Sequence, residues 1–505
     1  MMTISNSVQS HALSNKHNLS ATALAIALVF APFVAHSADL AGAVEALGAS
    51  KLSSIQFSGA GHWFQFGQAP NPKLAWPQFD VSSYVATINY ATPAERVQIT
   101  RKQTVEPKRL RPAPTEQKPD QYVSGNWAWN MAPAPGAKPD STPVSQNQAA
   151  AVEERTTEIW STPQGFLKAA EANNAQSKSS KDGVEVSFTA GKNRYVGTIN
   201  AKNQVTKVRT WIDNPVLGDT LIEYAYKDYK DFNGVWFPAS ILRKQGGHPV
   251  FALAVKSVTP NAEANISVPT EISSAAAPVV TVTSEELAPG VFYLKGGTHH
   301  SVAIEQKDHF ILVDAPLNEA RSEALIAKVK EINPNKPIRY VVNTHEHFDH
   351  SGGLRTFVDE GATIVTHQIN VPLFKKAWAA PRTINPDRLA LSKKAPKFKA
   401  FSDKLVLTDG ERPVEIHLIA GTGHDDGIAL AYLPKEKILV EVDVFTPTAA
   451  NAPLPSTVSP YAVNLNDNIK RLKLDVKQIA ALHGPRVTTL DDLHAAIGIK
   501  TSASN

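Results

Sequence analysis

Three histidines and one aspartate fall within six residues of this 505-residue chain: His345, His347, Asp349 and His350, in the run THEHFDHSGG that starts at Thr344. The run follows an apolar stretch, Ile338–Asn343, and precedes a short helical pattern, Leu354–Glu360. That order places it on a loop at the mouth of a sheet, where a strand hands over to a helix. In extended backbone, residues two apart point to the same side, so His345 and His347 share one side. Asp349 and His350 lie on the bend that follows and face a second point. Gly352 and Gly353 allow the tight turn and the close approach of backbone that such a bend needs. One loop thus offers two ligands to each of two neighbouring metal ions. It demands a layered α/β setting to hold it, and residues 280–505 supply the pattern. His309–Pro316, Ala362–His367, Val414–Ala420, Ile428–Leu433 and Lys437–Val444 read as strands, Glu319–Ile332 and Leu465–Ile479 as helices.

Composition narrows the chemistry. The chain has no cysteine, which excludes disulfides, thiolate zinc sites, iron–sulfur clusters and a catalytic thiol, so any metal is held by His, Asp or Glu. Its formal charge is +4, from 51 Lys+Arg against 47 Asp+Glu, and the basic residues are scattered, which argues against a nucleic-acid partner. An open catalytic zinc site takes about three protein ligands per ion. The remaining ligands are available at strand ends: His424 in GTGHDDG, Asp443 closing an apolar strand, and His483 in ALHGP. A charge at the end of an apolar strand is costly unless paired or metal-bound, which singles out Asp443. Asp425, Asp426 and Glu441 are nearby competitors. His299 and His300 read as a solvated hairpin, and the basic stretch Pro372–Phe401 as a solvated surface loop.

Taken together, strand-end Asp314, the His-x-His-x-Asp-His run at 345–350, His424, Asp443 and His483 resemble, in that order, the motifs of the metallo-β-lactamase superfamily. The resemblance implies a four-layered αβ/βα sandwich and two metal ions, zinc in the first place, with iron and manganese suited to the same ligands. It implies that His345, His347 and His424 hold one ion and Asp349, His350 and His483 the other. Asp443 would bridge the two ions, and Asp314 would brace the loop without binding metal. It implies hydrolysis of an ester, lactone, thioester, phosphodiester or amide-type bond by a metal-activated water, with Asp349 as the catalytic carboxylate. Superfamily members that cleave β-lactams place cysteine where Asp443 stands, so β-lactam hydrolysis is the alternative reading. A periplasmic lipid- or peptide-binding protein with an accessory metal domain is another.

The N-terminal part reads differently. Residues 1–38 contain an apolar run, Ala21–Ala35, followed by the small residues Ser37 and Ala38, in the order of a cleavable export signal. A periplasmic or secreted protein without an integral membrane span is expected. Residues 39–260 form a β-rich region. Its Pro-rich segments Glu106–Pro119 and Ala132–Pro143 are loops, and from Val184 alternating stretches predict an antiparallel meander, preceded by a helix at Pro163–Ala175. Residues 163–258 loosely resemble the half-barrel sheets of periplasmic lipoprotein carriers. Residues 261–279 read as a linker. The expected class is therefore α+β: an antiparallel, half-barrel-like N-terminal domain and a C-terminal sandwich at 280–505 acting on a small-molecule substrate.

Overall fold

The meander expected after Val184 belongs to a larger object. Period-two alternation buries one face of each strand, and one antiparallel 14-stranded sheet runs through the whole N-terminal part. The computed structural model describes residues 39–499 except 135, 139, 277 and 278, so the export signal expected at 1–38 lies outside the described residues. The chain enters the sheet in its middle, at Ser54–Phe64, and leaves it on the adjacent strand, His248–Pro260, with Ile55 opposite Pro260 and Trp63 opposite Phe251. Between these two passes the strands spread outwards on both sides. Val235–Gln245 joins His248–Pro260 through Gly246-Gly247, both at positive φ (58° and 90°), as a two-residue hairpin turn requires. Helices Val152–Ser161 and Pro163–Ala172 cover the inner face, where Phe166, Ile159 and Leu167 are fully buried against Ile55, Ile88 and Phe237. Thr162 caps the second helix through Gly165 N, and Pro163 takes its first turn.

The C-terminal part is α/β in layers. A seven-stranded sheet contains Val291–Lys295, Ser301–Glu305, Phe310–Val313, Ile338–Val342 and Thr363–His367; a six-stranded sheet contains Val414–Leu418, Ala429–Leu433, Ile438–Glu441 and Gln478–Ala481. Their facing sides form one core, including Val302, Val313, Ile416 and Val440. Helix Glu319–Ile332 packs on the outer face of the first sheet through Leu325, Ile326 and Val329. The whole chain is thus α+β as expected.

Several local expectations shift. The helix expected at Leu465–Ile479 runs from Pro460 to Leu472. Pro460 opens it after Ser459, Lys473 ends it in the left-handed region (φ 54°), and Gln478–Ala481 is then free to be a strand. Residues 261–279 hold a short helix, Thr270–Ser273, whose Ile272 is buried. The basic stretch after Thr363–His367 is not a loose loop. It forms helices Val371–Trp378 and Arg388–Ser392, and its buried Arg382 donates to the carbonyls of Asn214, Pro215 and Val216 in the N-terminal sheet. Among the described residues, no helix is long and apolar enough to cross a membrane.

Candidate metal centre

Strand Ile338–Val342 delivers the His-rich run to the top of the two sheets, and hydrogen bonds then fix its shape. Asp314, just past Phe310–Val313, sits at φ 64°, a region that few residues other than glycine, Asn and Asp adopt. There its carboxylate accepts from Thr344 N (2.9 Å), Thr344 Oγ1 (2.9 Å) and His350 Nδ1 (2.9 Å). Asn343 donates to the carbonyl of His345 at 2.5 Å. Four buried or half-buried loop and strand ends then converge on the run.

Two groups of side chains result, each with its ligand atoms within 4.8 Å of one another: His345, His347, His424 and Asp443, and His299, Asp349, His350 and His483. Asp443 lies between them. Its Oδ2 is 3.1 Å from His345 Nε2, 3.2 Å from His424 Nε2 and 3.3 Å from His350 Nε2, and its Oδ1 is 2.9 Å from His483 Nε2. Like Asp314 it sits at positive φ, 59°, immediately beyond strand Ile438–Glu441. The ring nitrogens are sorted by their outer partners. His350 uses Nδ1 toward Asp314, His483 uses Nδ1 toward the Thr298 carbonyl (2.8 Å), and His347 uses Nε2 toward the Ala69 carbonyl (2.9 Å). His347 Nδ1, His345 Nε2 and His424 Nε2 are buried without a hydrogen-bond partner. Buried imidazole nitrogens gathered round carboxylates are the donor set of zinc, iron or manganese, so these residues fit a pair of such ions.

Electrostatics agree with that fit. Burial alone would raise the Asp443 carboxyl, but His350 and His424 outweigh it and hold it well below the usual carboxylate range. Asp349 is likewise held low against burial by His299 and His350. Burial pushes His345 down to about 4 and holds His347 well below its usual value, so both stay neutral and able to ligate. His350 and His483 go the other way: burial opposes their charging, yet the Asp443 carboxylate raises both, with Asp314 adding to the effect at His350.

All seven residues picked out as ligands from sequence are thus brought together, with Asp314 behind them. His299 was placed wrongly: its side chain is only 11% exposed, and its Nε2 stands 3.2 Å from Asp349 Oδ2. It is carried there by the turn after Val291–Lys295, held by Arg321 donating to its carbonyl (2.9 Å). A His-His doublet was the only local signal. His300 turns the other way, toward the Gly484 carbonyl. Of the competitors, Asp426 is taken up by Arg109 (2.9 and 3.1 Å), while Asp425 and Glu441 are fully buried.

The N-terminal part also supplies the site, through the segment after strand Ser54–Phe64. Gly67 O accepts from Phe348 N (3.2 Å), Ala69 O from His347, and Pro70 O from Asp426 N (2.7 Å). Gln68 Nε2 donates to Asp349 Oδ1 at 2.8 Å. No motif in the sequence marks these residues.

The family model of the metallo-β-lactamase superfamily matches residues 294–440. The C-terminal half is a metallo-β-lactamase superfamily domain. A curated relative, the 2,4-dinitroanisole O-demethylase subunit alpha of Nocardioides sp. (strain JS1661), is 25% identical over 173 residues, 33% of this chain and 47% of that protein. The chain therefore spans about half the length of the curated relative it matches. Among solved structures, a metallo-β-lactamase from Pontibacter korlensis aligns at 18% identity over 43% of this chain and 98% of its own, with a TM-score of 0.34. The metallo-β-lactamase FIM-1 from Pseudomonas aeruginosa in a mono-zinc form aligns at 18% identity over 44% and 96%, with a TM-score of 0.31.

One buried acid of the metallo-β-lactamase loop has a measurable consequence. Burial, helped by Asp425, pushes Glu346 up to about 9, and its Oε1 has no partner. The folded state therefore keeps a proton that the unfolded chain releases above the ordinary carboxylate pKa. That contribution is fully present below about 4.3 and is lost as pH rises through about 9. Glu346→Gln removes the titration. With both proteins stripped of metal by a chelator, its Tm relative to wild type is expected to climb between pH 5 and pH 9, by about 5 °C. A difference independent of pH in paired thermal melts would contradict this.

Proposed function

We propose that this protein is an exported dinuclear metallohydrolase, with zinc as the favoured metal, that cleaves an ester, lactone, thioester, phosphodiester or amide-type bond. The observation that carries this reading is the set of three buried, unpartnered imidazole nitrogens, on His345, His347 and His424, beside an Asp443 carboxylate that also reaches His350 and His483. Metal ions bound there supply Lewis acidity toward the substrate oxygen and a water acidic enough to attack near neutral pH. His345, His347 and His424 would hold one ion; Asp349, His350 and His483 the other, with Asp443 between.

The chain's own residues do the rest. Gln68 pins Asp349 Oδ1 and His299 pins Oδ2, so the carboxylate cannot rotate away. Asp349 would orient the attacking water and pass its proton on to the leaving group. His299 and His350 hold its carboxyl below the usual range against burial, so it is ionised at neutral pH and suited to accept that water's hydrogen bond.

The test combines metal analysis with turnover. The purified protein is expected to carry two zinc ions per chain and to hydrolyse at least one of a panel of esters, lactones, thioesters, phosphodiesters and β-lactams, with loss on chelation and recovery with zinc. An aryl methyl ether belongs in the panel because a relative is named as an O-demethylase. A protein with both ions bound that cleaves nothing, while an apolar ligand copurifies, would overturn the reading. The N-terminal part has a cavity of about 300 Å³ where such a ligand could be sought, walled by Phe57, Tyr84, Ile241 and Phe251 but also by the charged Glu95, Glu158, Arg155 and Arg243. N-terminal sequencing of the protein from an expressing cell's exported fraction is expected to begin close to Asp39.

A further inference from the structure

The loop that follows strand Ala94–Gln103 crosses from the N-terminal sheet to the metal centre. Its backbone lies directly on the His424 loop: a Cβ on Gly423 would meet the Leu110 carbonyl oxygen at 2.1 Å. Two arginines on this loop have opposite fates. Arg109 is spent on Asp426, in a two-pronged ion pair that anchors the loop. Arg111 is held more loosely. Its side chain is 13% exposed, its Nε and Nη2 have no hydrogen-bond partner, and its contacts are a long ion pair to Glu106 (3.5 Å) and the Tyr461 hydroxyl on the same cavity wall.

Arg111 shares a cavity of about 290 Å³ with His347 and His424. The same wall carries the amides of Gln65, Gln68, Gln103 and Gln117. Among the described residues, no carboxylate side chain lines it. A half-buried guanidinium with free donors, facing neutral amides and metal-site imidazoles, is complementary to an anion. The volume suits a small molecule, at the lower end of ligand sites.

We propose that the N-terminal loop sets specificity, and that Arg111 receives an anionic oxygen group of the substrate, a carboxylate or a phosphate, at the end remote from the scissile bond. The proposal rests on the hydrolase reading and names its substrate class: small acids bearing a hydrolysable ester-type bond. Arg111 makes no step of the reaction; it selects and places the substrate, so its removal should act on KM more than on kcat.

The experiment compares para-nitrophenyl hemisuccinate with its neutral isostere, para-nitrophenyl isocaproate, on the full-length zinc-loaded protein. Wild type is expected to favour the acid. Arg111→Ala should lower the acid-to-neutral ratio of kcat/KM about a hundredfold, as loss of a charge-assisted bidentate contact does. Arg111→Lys, which keeps the charge and loses the fork, should recover part of the ratio and guards against a folding defect in the alanine variant. A wild-type ratio of one or below, or a ratio unmoved by Arg111→Ala, overturns the proposal. Calorimetric titration of the protein as isolated with succinate and with inorganic phosphate, wild type against Arg111→Ala, separates the two anions. It also separates the two claims. If no ester is cleaved but succinate or phosphate binds through Arg111, the hydrolase reading falls and the anion site stands. If esters are cleaved and neither anion binding nor the ratio depends on Arg111, the anion site falls alone.

Discussion

Asp443→Asn is expected to lower kcat/KM by at least about a thousandfold and to leave less than one tightly bound metal ion per chain. The magnitude follows from position. Residues that merely orient a metal ligand cost 10–100-fold when replaced, and Asp443 stands within 3.3 Å of His345, His350, His424 and His483 at once. Among the described residues no other carboxylate has that reach: Asp349 serves the His350 side, Asp425 accepts from Gly427 N and comes only within 4.0 Å of His347, and Glu441 accepts from Phe445 N. Asparagine is the informative replacement because the residue sits at φ 59°, where Asn is tolerated and alanine is strained. Metal content by mass spectrometry of the purified protein, with circular dichroism to show an intact fold, reads the outcome. Wild-type turnover with two ions bound would sink the assignment of Asp443 as the shared ligand.

The parts of this centre that were legible in the sequence are those whose geometry is local. The 345–350 run carries its own ligand spacing, because alternation through His345 and His347 and the helical turn Phe348–Ser351, found where a bend at Gly352 was expected, are local; Asp314 and Ala69 then fix its final shape. Asp443 was legible for an energetic reason: a carboxylate closing an apolar strand needs a partner. The alternating strands after Val184 were legible because one face of each is buried and the other is not. What escaped depends on contacts set by the whole fold. His299 reaches Asp349 only because Arg321 and strand Val291–Lys295 fix the turn before it. Gln68 lies 281 residues from Asp349, and Arg109 lies 317 from Asp426. No spacing rule spans such distances. The Pro-rich loop around Arg109 carried only the information that it is neither helix nor central strand, while the tertiary structure uses it as a wall of the cavity that His347 and His424 also line.

That dependence of the metal centre on the N-terminal sheet can be put to the test at one atom. Gly67→Ala, far in sequence from every proposed ligand, is expected to weaken metal binding about 10–100-fold and to destabilise the protein by roughly 2–4 kcal/mol. Gly67 sits at φ 75°, where a side chain is strained, and an added Cβ would lie 2.6 Å from the Phe348 ring. Neither contact can be relieved cheaply. Phe348 is held between the Gly67 carbonyl, which accepts from its N–H, and the ring of Phe66, whose centroid is 5.2 Å away in an edge-on contact. Its neighbours in sequence are His347 and Asp349, so moving Phe348 moves a ligand on either side. The displaced segment also carries the Ala69 carbonyl, which selects the His347 tautomer, and the Gln68 amide, which pins Asp349. Urea unfolding measures the stability cost, and competition with a chromophoric chelator measures the affinity. If Gly67→Ala loses stability but binds zinc like the wild type, the N-terminal sheet is a scaffold and no part of the centre. If affinity falls with stability, the two halves form one active site, and an isolated C-terminal half should bind its metals poorly however well it folds.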